Sequence, residues 1–143
     1  MDKIVTYLLE EKKAKRKGGL YHKTQVSLTY NSNRIEGSRL TEEQTRYIFE
    51  TRTIGFKDEE AVSVDDIIET VNHFRSIDFC IDMAEEPLTE DIIKERHRIL
   101  KQSTKDSSLA WFAVGDYKKR ANVVGGPETT KPKEVAPRMK ILL

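Results

Sequence analysis

Residues 63–83, SVDDIIETVNHFRSIDFCIDM, decide the fold. Within them Val64, Ile67, Ile68, Val71, Phe74, Ile77 and Ile81 recur at steps of three and four, the spacing that lines one face of an α-helix. Ser63, with Asp66 three residues on, gives the start signal, and Pro87 forbids continuation beyond the far end. A helix this long and this apolar along one side predicts a central packing element with further helices around it.

The flanks supply those helices. Thr41 and Gln44 have the spacing of a capping box and predict a helix through about Thr51. Before it, residues 20–35 contain no Pro or Gly; Leu20, Val26 or Thr24, Leu28 and Ile35 are assigned to one apolar face, and Gly37 serves as a left-handed stop. Residues 2–16 form a short amphipathic helix with Ile4, Val5, Leu8 and Leu9 on one side, a charged solvated tail from Glu10 to Lys17, and an end at Gly18-Gly19. On the other flank, Thr89 caps a helix carrying Ile92, Ile93, His97 and Leu100. Residues 103–109 are small and polar, a loop. Two short extended pieces about Gly125-Gly126 predict a hairpin over 121–131, and Val135, Met139 and Leu142 predict a last helix in which Pro137 is tolerated only in the first turn. That apolar pattern is unfinished at Leu143, so the chain is expected to be the front piece of a longer protein, with some tendency to self-associate. The fold class is all-α, a helical bundle with one short β-hairpin flap.

Composition agrees. The 143 residues suffice for one compact domain with a core, and 37% hydrophobic against 34% charged residues suits helices with solvated outer faces. A net charge of +1 leaves no global field to draw nucleic acid or an anionic membrane, and neither is expected as a partner. The N-terminal apolar residues are too few and too interrupted for a signal peptide or a membrane span. Cys80, the single cysteine, excludes an internal disulfide and is read as a small buried hydrophobe in a reducing, cytoplasmic setting.

Taken residue by residue, the chain offers no active site. His22, His73 and His97 lie on three different helices, none at ligand spacing from another His or Cys, so no metal site is assigned. There is no phosphate loop of the Walker type. The one oddity is Ser32 and Glu36, a turn apart at a helix C-terminus, where a carboxylate opposes the macrodipole.

Ser32-Asn33-Arg34-Ile35-Glu36-Gly37 resembles the inhibitory pattern of the Fic family of protein adenylyltransferases, and Ser38-Arg39-Leu40-Thr41 resembles its usual continuation. A second stretch resembles the same family in the same order: Gly115-Asp116-Tyr117-Lys118, then the flap at Val123, Val124, Gly125 and Gly126, then the helix with Pro132, Val135 and Met139. The helix from Leu88 to Leu100, with Ile93, Lys94 and His97, resembles the opening of the Fic domain. Together the likeness covers most of residues 20–143.

The resemblance implies residues 1–87 as an N-terminal helical region holding the inhibitory helix and residues 88–143 as the first part of a Fic domain, packed together as one unit. The family's motif of His-Pro-Phe followed by acidic, glycine and arginine residues does not occur; no His here precedes a Pro, so no catalytic residue is assigned to this chain. For the parent protein the resemblance implies AMPylation, the transfer of AMP from ATP with Mg2+ to a hydroxyl of a target protein. Neither ATP nor Mg2+ is expected to be held tightly by this piece. Ser32, Glu36 and Gly37 take the family's inhibitory place, with the carboxylate pairing with the motif's last arginine where the ATP γ-phosphate would lie. The flap takes the target as an added strand. The alternative reading is a regulatory or binding module without chemistry that lends an inhibitory helix and a flap to a partner.

Overall fold

In the computed structural model, which describes residues 2–54 and 61–143, the decisive stretch forms a helix over Val64–Asp82. The Ser63 side chain accepts from the Asp66 amide as its N-cap. Numbered in chain order, the helices are α1 (Lys3–Ala14), α2 (Leu20–Ile35), α3 (Glu42–Thr51), α4 (Val64–Asp82), α5 (Glu90–Lys101) and α6 (Pro132–Leu142), with a 3-10 turn at Lys105–Ser108. All are helical, and among the described residues no strand forms. The chain divides into two compact units, Met1–Glu85 and Glu86–Leu143.

In the first unit α4 packs against α1, α2 and α3. Phe74, Ile77 and Ile81 are buried, Ile67, Ile68 and Val71 half-buried, while Val64 is exposed. Tyr21, Ile77 and Ile81 form one apolar cluster backed by Leu8, Leu9 and Phe49; Leu40, Ile48 and Phe74 form a second, backed by Ile54, Val62 and Val71. Phe49 stands between them, its ring 4.9 Å from Phe74 and 6.1 Å from Tyr21.

The starts of the helices follow the sequence closely. Thr41 accepts from the Gln44 amide while the Gln44 side chain accepts from the Thr41 amide, so both halves of the capping box are made. Thr89 likewise accepts from the amide of Ile92.

The face of α2 does not follow it. Its buried residues are Tyr21, Gln25, Val26, Thr29 and Asn33, whereas Leu20, Leu28 and Ile35, assigned inward, are exposed, Ile35 by 87%. Polar partners on α4 explain the inversion. Gln25 Nε2 donates to the Phe74 carbonyl at 3.1 Å and to Asp78 Oδ1 at 2.9 Å, and Asn33 Nδ2 donates to Thr70 Oγ1 at 3.0 Å. Tyr21 Oη donates to Asp78 at 2.5 Å; burial, and then this carboxylate, push the phenol well above its ordinary value. Buried polar groups are costly when unpaired and position-specific when paired, so this seam fixes the register of α2 on α4.

Five other expectations are corrected. Helix α1 stops at Ala14 with Lys15 in the left-handed conformation (φ 52°), because the Lys15 amide closes back onto the Glu11 and Lys12 carbonyls before the glycine pair is reached. Glu11, placed in the solvated tail, is buried, and Ile4 is exposed. Cys80 points outward from α4 and is exposed. In the second unit α6 begins at Pro132, so Pro137 lies inside the helix rather than in its first turn, where its missing N–H leaves one helical carbonyl without its usual donor.

Candidate functional site

The end of α2 is built by its backbone. The Gly37 amide donates to the Arg34 carbonyl at 3.1 Å and the Ser38 amide to the Asn33 carbonyl at 2.9 Å, the paired bonds of a Schellman motif, with Gly37 at φ 97° where a side chain would be strained. This stop leaves Glu36 as the helix cap, exposed, with its amide directed to the Ser32 carbonyl at 3.4 Å. Arg34 turns back along the helix to Tyr30 Oη at 2.6 Å. Ser32 is half-buried at the border between the polar seam and an exposed stripe of Leu28 and Ile35. Ser32 and Glu36 therefore stand on successive turns of a helix anchored through its opposite side, beside apolar residues that face outward.

In the second unit the Gly-Asp-Tyr-Lys stretch works residue by residue. The Gly115 amide donates to His97 Nδ1 at 3.0 Å, and a Cβ there would lie 3.1 Å from Arg98 Cβ, so the loop sits directly on α5. Asp116 pairs with Lys94 at 3.2 Å; the Tyr117 amide first, and Lys94 next, hold its carboxyl below the ordinary range. Tyr117 donates its hydroxyl to Glu90 at 2.8 Å, and desolvation with that carboxylate pushes the phenol up to about 12. Lys118 Nζ reaches Asn122 Oδ1 at 2.7 Å and Thr129 Oγ1 at 2.5 Å, tying together the two ends of the flap.

The flap is a turn with one antiparallel bridge, Val123 to Glu128, and not the two-stranded hairpin expected. Two bonds hold it, Val124 amide to Pro127 carbonyl at 3.3 Å and Thr129 amide to Asn122 carbonyl at 3.0 Å. Pro127 has no N–H to extend the ladder, and Gly125 (φ 65°) and Gly126 (φ 108°) take the left-handed turn. Because these bonds flank the Val123–Glu128 pair, the N–H and C=O of both residues point away from each other. Among the described residues neither makes another backbone bond, and Val123 and Val124 are 60% and 67% exposed. The turn thus presents an unpaired edge.

His97 is a packing histidine. Its Nδ1 accepts from Gly115, its ring lies against Phe112, and burial, followed by the Lys101 charge, lowers its pKa below 6.5. Since the folded-state value lies below the unfolded one, its contribution to stability is present above pH 6.5 and is lost as pH falls through the folded value. Protonating Nδ1 also removes the acceptor for Gly115. Chemical denaturation of the wild type is expected to show stability falling below pH 6.5, with His97→Gln flattening that slope; a slope unchanged in the variant excludes His97 as its source.

The chain is 24% identical, with a TM-score of 0.69, to the crystal structure of a Fic domain containing signaling protein from Bacteroides thetaiotaomicron, over 96% of this chain and 53% of that one. The fold is Fic-like. No family model and no curated protein matches the chain. It spans about half the length of the Bacteroides protein. Among the described residues no group of three His, Cys, Asp or Glu side chains is arranged to hold a metal ion, and no helix is long and apolar enough to cross a membrane.

Proposed function

We propose that this chain is the regulatory and target-binding part of an autoinhibited protein adenylyltransferase that moves AMP from ATP to a target hydroxyl. The observation that carries this reading is the end of α2: a Schellman stop presents Glu36 on an exposed helix end, at the position the Fic inhibitory pattern gives its carboxylate. A carboxylate at a helix C-terminus is disfavoured by the macrodipole, and a cationic partner offsets that cost. The proposed partner is an arginine outside this chain, in the space the ATP γ-phosphate would take. The open edge at Val123 and Glu128 supports the second half of the reading. A target segment laid along it gains backbone hydrogen bonds whatever its sequence, and the neighbouring side chains refine the choice.

No residue here removes a proton from the acceptor or holds the phosphates. That work belongs to a segment with the His-Pro-Phe motif, and Mg2+ would neutralise phosphate charge there. The 143-residue chain, incubated with labelled ATP and a cell lysate, is accordingly expected to label no protein above background. A labelled band would place an active site within these residues and overturn the assignment. The coding sequence beyond Leu143 separates the two readings of the parent: a His-Pro-Phe stretch supports the transferase, a stop codon the regulatory module.

A further inference from the structure

Beside the flap, within the second unit, lies a cleft of about 460 Å3. Part of its wall is aromatic. The Trp111 and Phe112 rings meet edge-on at 6.0 Å, Phe112 lies 5.9 Å from the His97 ring, and Trp111 remains exposed. The rest of the wall is the run from Lys118 to Asn122, which leads directly into the open edge at Val123. Arg120 is held in place there, its guanidinium carbon 4.3 Å from the centre of the Trp111 ring. A guanidinium stacked on an aromatic face keeps its N–H edges for a planar acceptor.

The charges on this wall do not cancel. Its one carboxylate, Asp116, is neutralised by Lys94 at 3.2 Å, with Lys119 adding a weaker pull from farther off. Lys118 is bonded to Asn122 and Thr129, both neutral, and so keeps its charge. Among the described residues no carboxylate stands within ion-pair distance of Lys119 or Arg120, and both are exposed. His97 is largely neutral at pH 7, and no residue of the wall ends a helix, so no carbonyl terminus opposes the cations. Glu95 on α5 is cancelled by Arg98. Glu90 lies two turns before His97, about 10 Å along the axis, where salt screens it. Counting Glu128 of the flap against the three wall cations still leaves two of them unneutralised.

We propose that this cleft takes an acidic side chain, Asp or Glu, of the protein segment that pairs with the flap edge. The segment's backbone adds to the unpaired N–H and C=O of Val123. Arg120 lies three residues earlier, about 10 Å of extended chain, so a carboxylate within about three residues of the paired stretch reaches its guanidinium. There the planar fork grips both carboxylate oxygens, Lys118 and Lys119 complete the positive surround, and the aliphatic stem lies against the aromatic wall. A nucleotide could use the rings and the cations, but it has no use for a backbone edge, and that edge favours a peptide. The inference rests on the target-binding half of the proposed function and names the chemistry of the target segment.

Trp111 is the chain's single tryptophan, so its fluorescence reports on this cleft. The test titrates the 143-residue chain with a short capped peptide of alternating Thr and Val flanked by Glu, and with its Gln counterpart. The Glu peptide is expected to bind saturably, to shift Trp111 emission and the amide resonances of residues 119–123, and to bind about tenfold tighter than the Gln peptide, a preference that weakens as salt rises. Lys119→Gln combined with Arg120→Gln should bring the two peptides to equal affinity, while Arg16→Gln in the other unit leaves the preference intact. Calorimetry reads the double variant, because the surroundings of Trp111 change with it, and an unaltered circular dichroism spectrum and melting curve verify that it folds. Equal affinity of the wild type for both peptides overturns the proposal, as does a lack of binding or a preference that survives the double substitution. ATP or an oligonucleotide that binds more tightly and displaces the Glu peptide overturns it in favour of a nucleotide site. In the full-length parent, AMP transfer to a Thr peptide regardless of flanking Glu overturns this inference and leaves the transferase reading standing. Glu-dependent binding at Trp111 without any AMP transfer by the parent does the reverse.

Discussion

Replacing Glu36 by glycine in the full-length parent protein is expected to raise AMP transfer by about a hundredfold, the scale on which roughly 1 Å of misplacement slows a positioned reaction. On the proposed reading, the substitution removes a charge-assisted pair and the bulk that would hold off the γ-phosphate. It does so at little structural cost. Glu36 is the exposed cap of α2, its backbone already lies outside regular helical geometry (φ −84°, ψ 2°), and the stop itself is made by amides of Gly37 and Ser38 that the change leaves in place. No catalytic group is added; the α-phosphate is only allowed into line, and positioning dominates this class of transfer. Ser32→Ala should move activity the same way but less, since it removes at most a neutral hydrogen bond of about 1 kcal/mol, under tenfold in rate. Self-labelling with ATP compares the two variants with wild type. Equal labelling in wild type and Glu36→Gly returns Ser32 and Glu36 to a solvated helix end.

How much of this was legible depends on whether the signal was local. Ser63, Thr41 with Gln44, and Thr89 each cap a helix through bonds to residues three ahead, and all three starts are where the sequence puts them. Gly37 was readable for the same reason, since a glycine just past the end of a helix has one common use. The inward face of α2 was not readable, because hydrophobic periodicity presumes an apolar interior. Here Gln25 and Asn33 are buried by partners some 37 to 53 residues away on α4, while Leu28 and Ile35 face out. No spacing rule carries that information. The same exposed Ile35 that spoils the periodicity stands next to Glu36, so the local conflict falls beside the proposed inhibitory residue. The flap fell between these cases. Its glycine turn was legible, but Pro127 and the short ladder leave one bridge in place of two strands.

The burial of Glu11 is the least legible feature and carries the largest expected effect on stability. Helix α2 begins after Gly19, which has no side chain with which to cap it, and so its first amides need an acceptor from elsewhere. Glu11 on α1 supplies one: its Oε2 accepts from the Tyr21 amide at 2.8 Å, and the residue is only 3% exposed. A carboxylate at a helix N-terminus is favoured by the dipole, and a buried charged hydrogen bond of this kind is worth about 2 kcal/mol. Glu11→Ala should therefore cost about that amount and leave a buried amide unpaired. Gly19 is the other half of the arrangement. A Cβ at residue 19 would stand 2.5 Å from Glu11 Oε1, so Gly19→Ala must push the carboxylate off the helix end, even though the backbone there (φ −87°) suits alanine well. Its cost is thus expected to come wholly through Glu11. In denaturant titrations Gly19→Ala should destabilise the wild type by about 1–3 kcal/mol, the usual range for overpacking. In the Glu11→Ala background the same change should be neutral or slightly stabilising, because the clash is gone and alanine restricts the unfolded chain. A double-mutant cycle measures the difference directly. Additive costs would mean that Gly19 is required for its backbone alone and that Glu11 does not hold the start of α2.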